Sequence, residues 1–213
     1  MIKVERIKCA MVNCWLIKGE NGSILVDTAV SRFKDRLLNE LSTQNIKLIV
    51  LTHGHADHTG NTAFLAQHLK VPVAMCKRDE PILRNIKARP LYADNFFGKL
   101  ILNGTVSSMY KPTEFEVALN LCGGENLADF GVRDAEVIAL PGHTAGSIGI
   151  LAGGRDFIVG DAMMNMMKPT PGRIYEDEAA LLESMVTIKK SGCKTIRTGH
   201  GKAFSAGDYF ANL

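Results

Sequence analysis

The amino-acid sequence predicts an α+β protein built as a four-layer αββα sandwich, in which two mixed β-sheets pack face to face between outer helices. The first half runs from strands through a helix, a strand and a second helix, and the second half again places strands before a helix and a strand. Helices would cover one face of each sheet, so the sheets would bury their other faces together. With 213 residues, 46% hydrophobic and 22% charged, residues 1–213 are predicted to form a single domain.

The N-terminal half opens with three predicted strands. Residues 2–8 alternate between apolar and polar types, as a half-buried strand does, and apolar runs at 14–18 and 24–26 continue the sheet. Ser31 is predicted to cap a helix that extends to Leu41.

A nearly continuous apolar run at 47–51 predicts a strand that is covered on both faces. A second helix is predicted over 59–70 and a short strand over 71–75. Residues 78–112 are predicted to be helical but irregular, because prolines and glycine interrupt them.

The second half is predicted to contain short strands at 115–121, 126–129, 135–140, 147–151 and 156–159. A helix over 176–190 follows, whose acidic start and basic end complement the helix dipole. A closing strand is predicted at 194–197.

Charge and cysteine content exclude several classes of function. The net charge is +3 and the basic residues are scattered, so a nucleic-acid partner is not expected. The N-terminus lacks the apolar core of a signal peptide and no segment is apolar enough to span a membrane, so a cytoplasmic protein without a membrane partner is expected. The five cysteines are odd in number and form no C-x-x-C pair, which favours reduced structural thiols.

The densest chemical motif lies directly after the buried strand 47–51. Residues 52–60 read THGHADHTG, which places His53, His55, Asp57 and His58 within six residues. Small residues between them let the backbone bend, so the imidazole rings can converge on a metal. The alternative is a polar loop that caps the next helix, but such dense spacing favours the metal site.

Three further potential ligands also follow predicted strands. His143 lies in PGHTAGS, Asp161 in a Gly-Asp pair and His200 in GHG. Each alone would be an ordinary loop residue, whereas four such strand ends in one chain predict a shared site. Five of the six histidines are used in this way, and His68 is assigned to the helix 59–70 as an ordinary residue.

These motifs, together with the opening NCWLIKGENGSILVDT at 13–28, resemble the metal-dependent hydrolases of the metallo-β-lactamase-like superfamily, as a stand-alone domain with glyoxalase II-like motifs. The resemblance covers nearly the whole chain. It implies the same αββα fold, with two divalent metal ions at the edge where the sheets meet. Zinc is the first choice of metal, iron and manganese are alternatives, and no organic cofactor is expected.

The resemblance also implies a role for each residue. The first metal would be bound by His53, His55 and His143, the second by Asp57, His58 and His200, and both by Asp161. Asp27 matches a family aspartate that supports the site from behind, although a turn-capping role fits the sequence equally well.

A hydrolytic mechanism follows from this ligand set. A hydroxide shared by the two metals is expected to attack a carbonyl or phosphoryl centre, while Asp57 acts as the catalytic residue that orients it and passes on a proton. No serine or cysteine nucleophile is required.

The expected substrate is a small ester, thioester or lactone. Thirteen residues follow His200, so the C-terminal helical domain with which glyoxalase II holds glutathione is not expected. Substrate contacts are instead predicted from the segments 88–112 and 163–175. Their candidate contact residues are Phe96, Phe97, Met109, Tyr110, Met163, Met164, Met166, Met167 and Tyr175.

Three alternatives stay open at this point. The first is an oxidoreductase similar to iron persulfide dioxygenases, with one iron on His53, His143 and Asp161. The second is a phosphodiester hydrolase, and the third is a binding module without catalysis. The sequence does not predict the oligomeric state.

Overall fold

The computed structural model describes residues 2–93 and 114–212, and in them the strands form two mixed sheets, as predicted. The first sheet has the order β1-β2-β3-β4-β5-β7, with parallel pairing from β3 onward. These strands are β1 (Lys3–Cys9), β2 (Val12–Lys18), β3 (Ser23–Val26), β4 (Ile46–Val50), β5 (Val73–Met75) and β7 (Leu119–Asn120).

The second sheet has the order β15-β14-β10-β9-β8, and its β10–β14 pair is parallel. These strands are β8 (Ala135–Ala139), β9 (Ile148–Ala152), β10 (Asp156–Gly160), β14 (Thr195–Thr198) and β15 (Phe204–Ser205). Two short antiparallel pairs complete the described strands: β6 (Tyr92–Ala93) with β13 (Ile174–Tyr175), and β11 (Met163–Met164) with β12 (Thr170–Pro171).

Helices follow the strands at both outer surfaces. The α-helices of the described residues are α1 (Lys34–Leu41), α2 (Ala56–Thr59), α3 (Thr62–Leu69), α4 (Glu80–Arg84), α5 (Glu178–Lys190) and α6 (Ala206–Ala211). Single 3₁₀ turns occur at Ser31–Phe33, Lys77–Asp79, Ile86–Ala88 and Ala128–Phe130. Among the helices described, none has the length and apolar character needed to cross a membrane.

The alternation of side chains along β4 explains its nearly continuous apolar sequence. Leu48 and Val50 face the second sheet in the central core, whereas Ile49 packs on the other face among residues of α1 and α3. All three are fully buried. A strand that is covered on both faces therefore needs apolar residues at every position.

A third apolar cluster covers the outer face of the second sheet. Phe157 and Val159 of β10 point into it, and Leu181 and Ile188 of α5 close it from outside. The helices α1 and α3 lie outside the first sheet, so the order of the layers is helix, sheet, sheet, helix. The predicted αββα sandwich is confirmed.

The predicted helix 59–70 forms as α3 over Thr62–Leu69, after the separate short helix α2. α2 ends at Thr59 and α3 begins at Thr62, because the Asn61 side chain donates hydrogen bonds to the carbonyls of Thr28 (2.6 Å) and Val30 (2.8 Å). The backbone carbonyls of the loop after β3 thus accept hydrogen bonds from the residue at this break.

Several other boundaries also differ from the prediction. Ser31 begins a 3₁₀ turn instead of capping α1, which is preceded by Phe33 without a side-chain cap. The predicted strand 115–121 shortens to β7. No strand forms at 126–129, where a 3₁₀ turn lies instead.

The prediction of five reduced thiols was wrong for one pair. Cys76 follows β5 and Cys122 lies two residues beyond β7, and the two form a disulfide with their Cα atoms 5.0 Å apart. Neighbouring strands bring together cysteines that are 46 residues apart in sequence. Cys9, Cys14 and Cys193 are free and buried. The cysteines therefore no longer favour a cytoplasmic location.

Candidate metal centre

The seven predicted ligands lie at one edge of the sandwich, in the segments that directly follow β4, β8, β10 and β14, and two of them, Asp57 and His58, belong to α2. These strands point the same way within their sheets, so their carboxyl ends converge. The structure gathers the residues into three overlapping groups in which the potential ligand atoms lie within 4.8 Å of one another. The groups are His53–His55–His143, His53–His58–Asp161 and Asp57–His58–His200.

The first group is enclosed by protein. His55 Nδ1 lies 2.9 Å from His143 Nε2, and the rings of His53 and His143 are 4.6 Å apart between centroids. All three side chains are buried. They form a compact triangle of imidazole rings.

The second group lies closer to solvent. His58 Nε2 is 3.4 Å from His200 Nε2, and Asp57 Oδ2 is 3.3 Å from the same atom of His200. The Asp57 side chain is 34% exposed, whereas His58 is completely buried. Asp57 is therefore the residue of this group with the best access to a substrate.

Asp161 lies between the two groups. Its Oδ1 is 3.5 Å from His58 Nε2, while its Oδ2 is 3.2 Å from His200 Nε2 and 3.9 Å from His143 Nε2. One carboxylate thus contacts histidines of both groups, as a ligand shared by two metals must.

Hydrogen bonds at the outer ring nitrogens orient the histidines. His143 Nδ1 donates to the carbonyl of Ile174 (2.6 Å) and His200 Nδ1 donates to that of Met11 (2.9 Å). A carbonyl only accepts, so these Nδ1 atoms carry the proton and leave the Nε2 lone pairs directed into the site. This arrangement is typical of metal-binding histidines.

Asp27 fulfils the supporting role that was one of its two predicted alternatives. It is fully buried, its Oδ2 lies 2.8 Å from His58 Nδ1, and its Oδ1 accepts a 2.8 Å hydrogen bond from the Thr52 amide. Its φ of 62° is unusual for a residue other than glycine. Asp27 therefore holds both His58 and the beginning of the histidine loop.

The donor set fits a pair of metal ions. His53 Nε2, His55 Nε2 and Asp161 Oδ1 are buried without a hydrogen-bond partner. A buried polar atom without a partner costs about 1–3 kcal/mol, which a bound cation would offset. Imidazole and carboxylate donors suit zinc, iron and manganese.

The pKa values of the buried histidines shift in two opposite directions. Burial lowers the pKa of His55 to about 3, and burial lowers the pKa of His53 as well. Burial also opposes protonation of His58, but Asp161, Asp57 and Asp27 outweigh it and raise its pKa to about 9.

The pKa values of the two carboxyl groups, Asp57 and Asp161, are both lowered. Burial would raise the pKa values of Asp57 and Asp161, but neighbouring His58 and His200 outweigh it and hold both pKa values well below the ordinary range. Both aspartates are therefore ionised and ready to bind a cation.

Three residues of the site were missed by the sequence analysis. Asp79, Arg89 and Glu176 form a buried or half-buried ionic network behind the first group. Asp79 follows β5 by four residues, and a similar pattern of a strand followed by an acidic residue identified Asp161 as a potential ligand. It was missed because no histidine or glycine motif surrounds it.

The two predicted substrate segments have different outcomes. Phe96, Phe97, Met109 and Tyr110 lie outside the described residues. In the other segment, Met163 is buried in the outer core, whereas Met166 and Met167 are 46% and 98% exposed. The amide of Asn165 donates to the His200 carbonyl (2.9 Å), so this segment borders the site.

Comparison with known proteins identifies the family. The family model for the metallo-beta-lactamase superfamily matches residues 7–200. The chain belongs to this superfamily. Superfamily membership and the buried histidine–aspartate site together make it a metal-dependent hydrolase.

Several superfamily members resemble it over most of their length. The probable metallo-hydrolase MJ0296 of Methanocaldococcus jannaschii is 29% identical, over 83% of this chain and 70% of its own. The hydroxyacylglutathione hydrolase GloC of Haemophilus influenzae is 28% identical, over 70% of this chain and 65% of its own. The crystal structure of TTHA1623 in a di-iron-bound form has a TM-score of 0.71 at 24% identity, covering 96% of this chain and 95% of that one.

Proposed function

We propose that the chain binds two divalent metal ions, zinc first among them, and hydrolyses a small ester, thioester or lactone. His53, His55 and His143 would hold one metal, and Asp57, His58 and His200 the other. The observation that carries the proposal is Asp161, whose two oxygens lie within 4 Å of histidines from both groups. A carboxylate in this position can serve as a ligand to both metals.

Charge supports a reaction that develops an anion. Two divalent cations carry four positive charges, and Asp57 and Asp161 cancel two of them. When bound, the metals supply Lewis-acid activation of water and of the substrate's carbonyl oxygen. The remaining positive charge favours a tetrahedral oxyanion over the neutral substrate.

Asp57 would move the proton. It is the exposed carboxylate of the second group, and its Oδ2 lies 3.3 Å from His200 Nε2. The attacking water forms the new bond to the acyl carbon and the bond to the leaving oxygen or sulfur breaks. Asp57 takes the water's proton and returns it to the leaving group.

The surroundings of His200 support an acyl substrate. Met11, whose carbonyl accepts from His200, is 60% exposed, and Met166 and Met167 follow the residue that pairs with Gly201. Flexible, polarisable side chains of this kind suit an apolar group of variable shape. The likeness to GloC, named as a hydrolase of hydroxyacylglutathione, adds weight to a thioester.

The test is a substrate panel with defined metal loading. Apoprotein prepared with a chelator should be inactive, and two equivalents of zinc should restore hydrolysis of at least one simple thioester, ester or lactone. His68→Gln is the matched histidine control, because His68 bonds to the Phe64 carbonyl of its own helix and lies outside the site.

Two results would contradict the proposal. Turnover of phosphodiesters alone would move the substrate class to the phosphodiester alternative. Binding of one iron per chain, with oxygen consumed in the presence of a persulfide and no hydrolysis, would replace the hydrolase by the oxidoreductase alternative.

A further inference from the structure

We infer that Asp79 is a positioning residue for the first metal site, where its buried carboxylate fastens the loop of His55 to the loop of His143. Asp79 lies outside the seven proposed ligands. The inference rests on the ligand roles of His55 and His143 under the proposed function, and it assigns the cause of their convergence.

The contacts of Asp79 reach both loops. Its Oδ2 accepts hydrogen bonds from the amide of Gly54 (2.9 Å) and the hydroxyl of Thr144 (2.6 Å). Its Oδ1 accepts from the amide of Gly146 (2.8 Å). Gly54 stands between His53 and His55, and Thr144 directly follows His143, so one carboxylate joins the backbones that carry all three histidines.

Arg89 adds an ionic contact to these hydrogen bonds, and we call the whole set of contacts the Asp79 clamp. Arg89 Nη2 donates to Asp79 Oδ1 (2.6 Å), and Arg89 Nε lies 3.1 Å from Glu176 Oε1. Glu176 Oε2 in turn accepts the amide hydrogen of Ala145 (2.7 Å). The His143 loop is therefore held by two carboxylates that share one guanidinium.

Both loops pack closely against Asp79 and its neighbours. A Cβ atom added at Gly146 would lie 2.6 Å from Oδ1 of Asp79, and one added at Gly54 would lie 2.8 Å from Ile82 Cγ1. The two glycines allow both loops to approach the same carboxylate. Asp79 itself has no exposed surface.

The second metal group depends on other supports. His58 is oriented by Asp27 and His200 by the Met11 carbonyl. A change at Asp79 should therefore weaken the first site selectively, which a general loss of folding would not do.

Asp79→Asn is the most informative substitution. Each oxygen of Asp79 faces a backbone amide donor, Gly54 on one side and Gly146 on the other. An amide NH₂ group must face one of these donors in either orientation and cannot accept its hydrogen bond. The substitution keeps the shape of the side chain and releases one loop.

The experiment titrates apoprotein with Zn²⁺ by calorimetry and records the Co²⁺ spectrum of each site. His55→Ala and His200→Ala serve as spectral references for loss of the first and second site. In Asp79→Asn we expect the first-site dissociation constant to rise about 10–100-fold, as for other residues that orient ligands, with the second site unchanged.

The matched control is Asp156→Asn. Asp156 pairs with Arg197 (2.8 Å) at the amino end of β10, the opposite end of the strand from Asp161. It should leave both sites unchanged. If Asp79→Asn does not fold, Thr144→Val removes a single donor from the clamp and should weaken the first site about 10-fold.

The outcomes separate this inference from the proposed function. Wild-type zinc stoichiometry of two, with both sites unaffected or equally weakened in Asp79→Asn and in Thr144→Val, would overturn the positioning role alone. Wild-type protein that binds no zinc would overturn the proposed function and the positioning role together.

Discussion

The carboxylate of Asp27 lies 2.8 Å from Nδ1 of His58, and both side chains are fully buried. Thr52 binds the other oxygen of Asp27 through its amide, so the carboxylate cannot turn away. Asp27, which directly follows β3, thereby sets the direction of His58 Nε2.

Asp27→Asn should weaken the second metal site. The amide retains one acceptor, which can serve either the Thr52 amide or His58 but not both, so the imidazole loses its fixed orientation. We expect the dissociation constant for Zn²⁺ at the second site to rise about 10–100-fold. Calorimetric titration measures it, and the first site of the same protein is the internal control. A second-site dissociation constant that is the same in Asp27→Asn as in the wild-type protein would refute the supporting role of Asp27.

Asp161→Ala should reduce metal occupancy at both sites. It removes the carboxylate that contacts histidines of both groups, so each metal loses a ligand. We expect losses of at least about 10–100-fold in affinity, with hydrolysis falling in parallel. Elemental analysis after dialysis gives the stoichiometry, and His68→Gln should retain two metals. Full occupancy in Asp161→Ala would exclude a shared ligand.

Asp57→Asn separates proton transfer from metal binding. The amide can still offer an oxygen to the second metal but cannot take up a proton. We expect kcat to fall about 10²–10⁴-fold, the range of general acid–base catalysis, in protein that still binds two zinc ions when zinc is in excess. A variant with normal metal content and normal kcat would assign the proton transfer to another group.

Metal-free protein should be most stable near pH 6.5. The pKa of His55 is lowered to about 3 from its ordinary value of 6.5. Between these two pH values, His55 is protonated in the unfolded chain but neutral in the folded protein. The free energy of unfolding therefore decreases as the pH falls. The pKa of His58 is raised to about 9, so its stabilisation is complete below 6.5 and is lost as the pH rises through 9.

Denaturant unfolding of chelator-treated protein on both sides of this maximum measures the effect. Zinc should remove the alkaline decrease, because a metal-bound His58 carries no extra proton to lose. A stability that rises steadily into the alkaline range without metal would contradict the raised pKa of His58.

The sequence predicted which side chains converge at the site because the seven proposed ligands occupy short, dense motifs at strand ends. His53, His55 and His58 are fixed by local spacing, and His143 and His200 by glycine-flanked loops after strands. Asp79 was missed because its partners come from three distant segments, which only the folded chain brings together. The Cys76–Cys122 pair was missed for the same reason, since the adjacency of β5 and β7 is a long-range property.

Boundaries were less predictable than elements. The predicted helix 59–70 includes Gly60 and Asn61, but hydrogen bonds between the Asn61 side chain and the loop after β3 keep these residues out of α3. No local preference encodes such a tertiary contact.

The two sheets contribute separately to the site: the loop after β4 supplies His53, His55, Asp57 and His58, and the loops after β8, β10 and β14 supply the rest. A bound metal pair would therefore act as a cross-link between the halves of the sandwich at its open edge. In its absence, the hydrogen bonds of Asp79 to the amides of Gly54 and Gly146 still join the halves at that edge. With zinc bound, the amides of Gly54 and Asn165 should become protected together, so that segments more than a hundred residues apart would open as one cooperative unit.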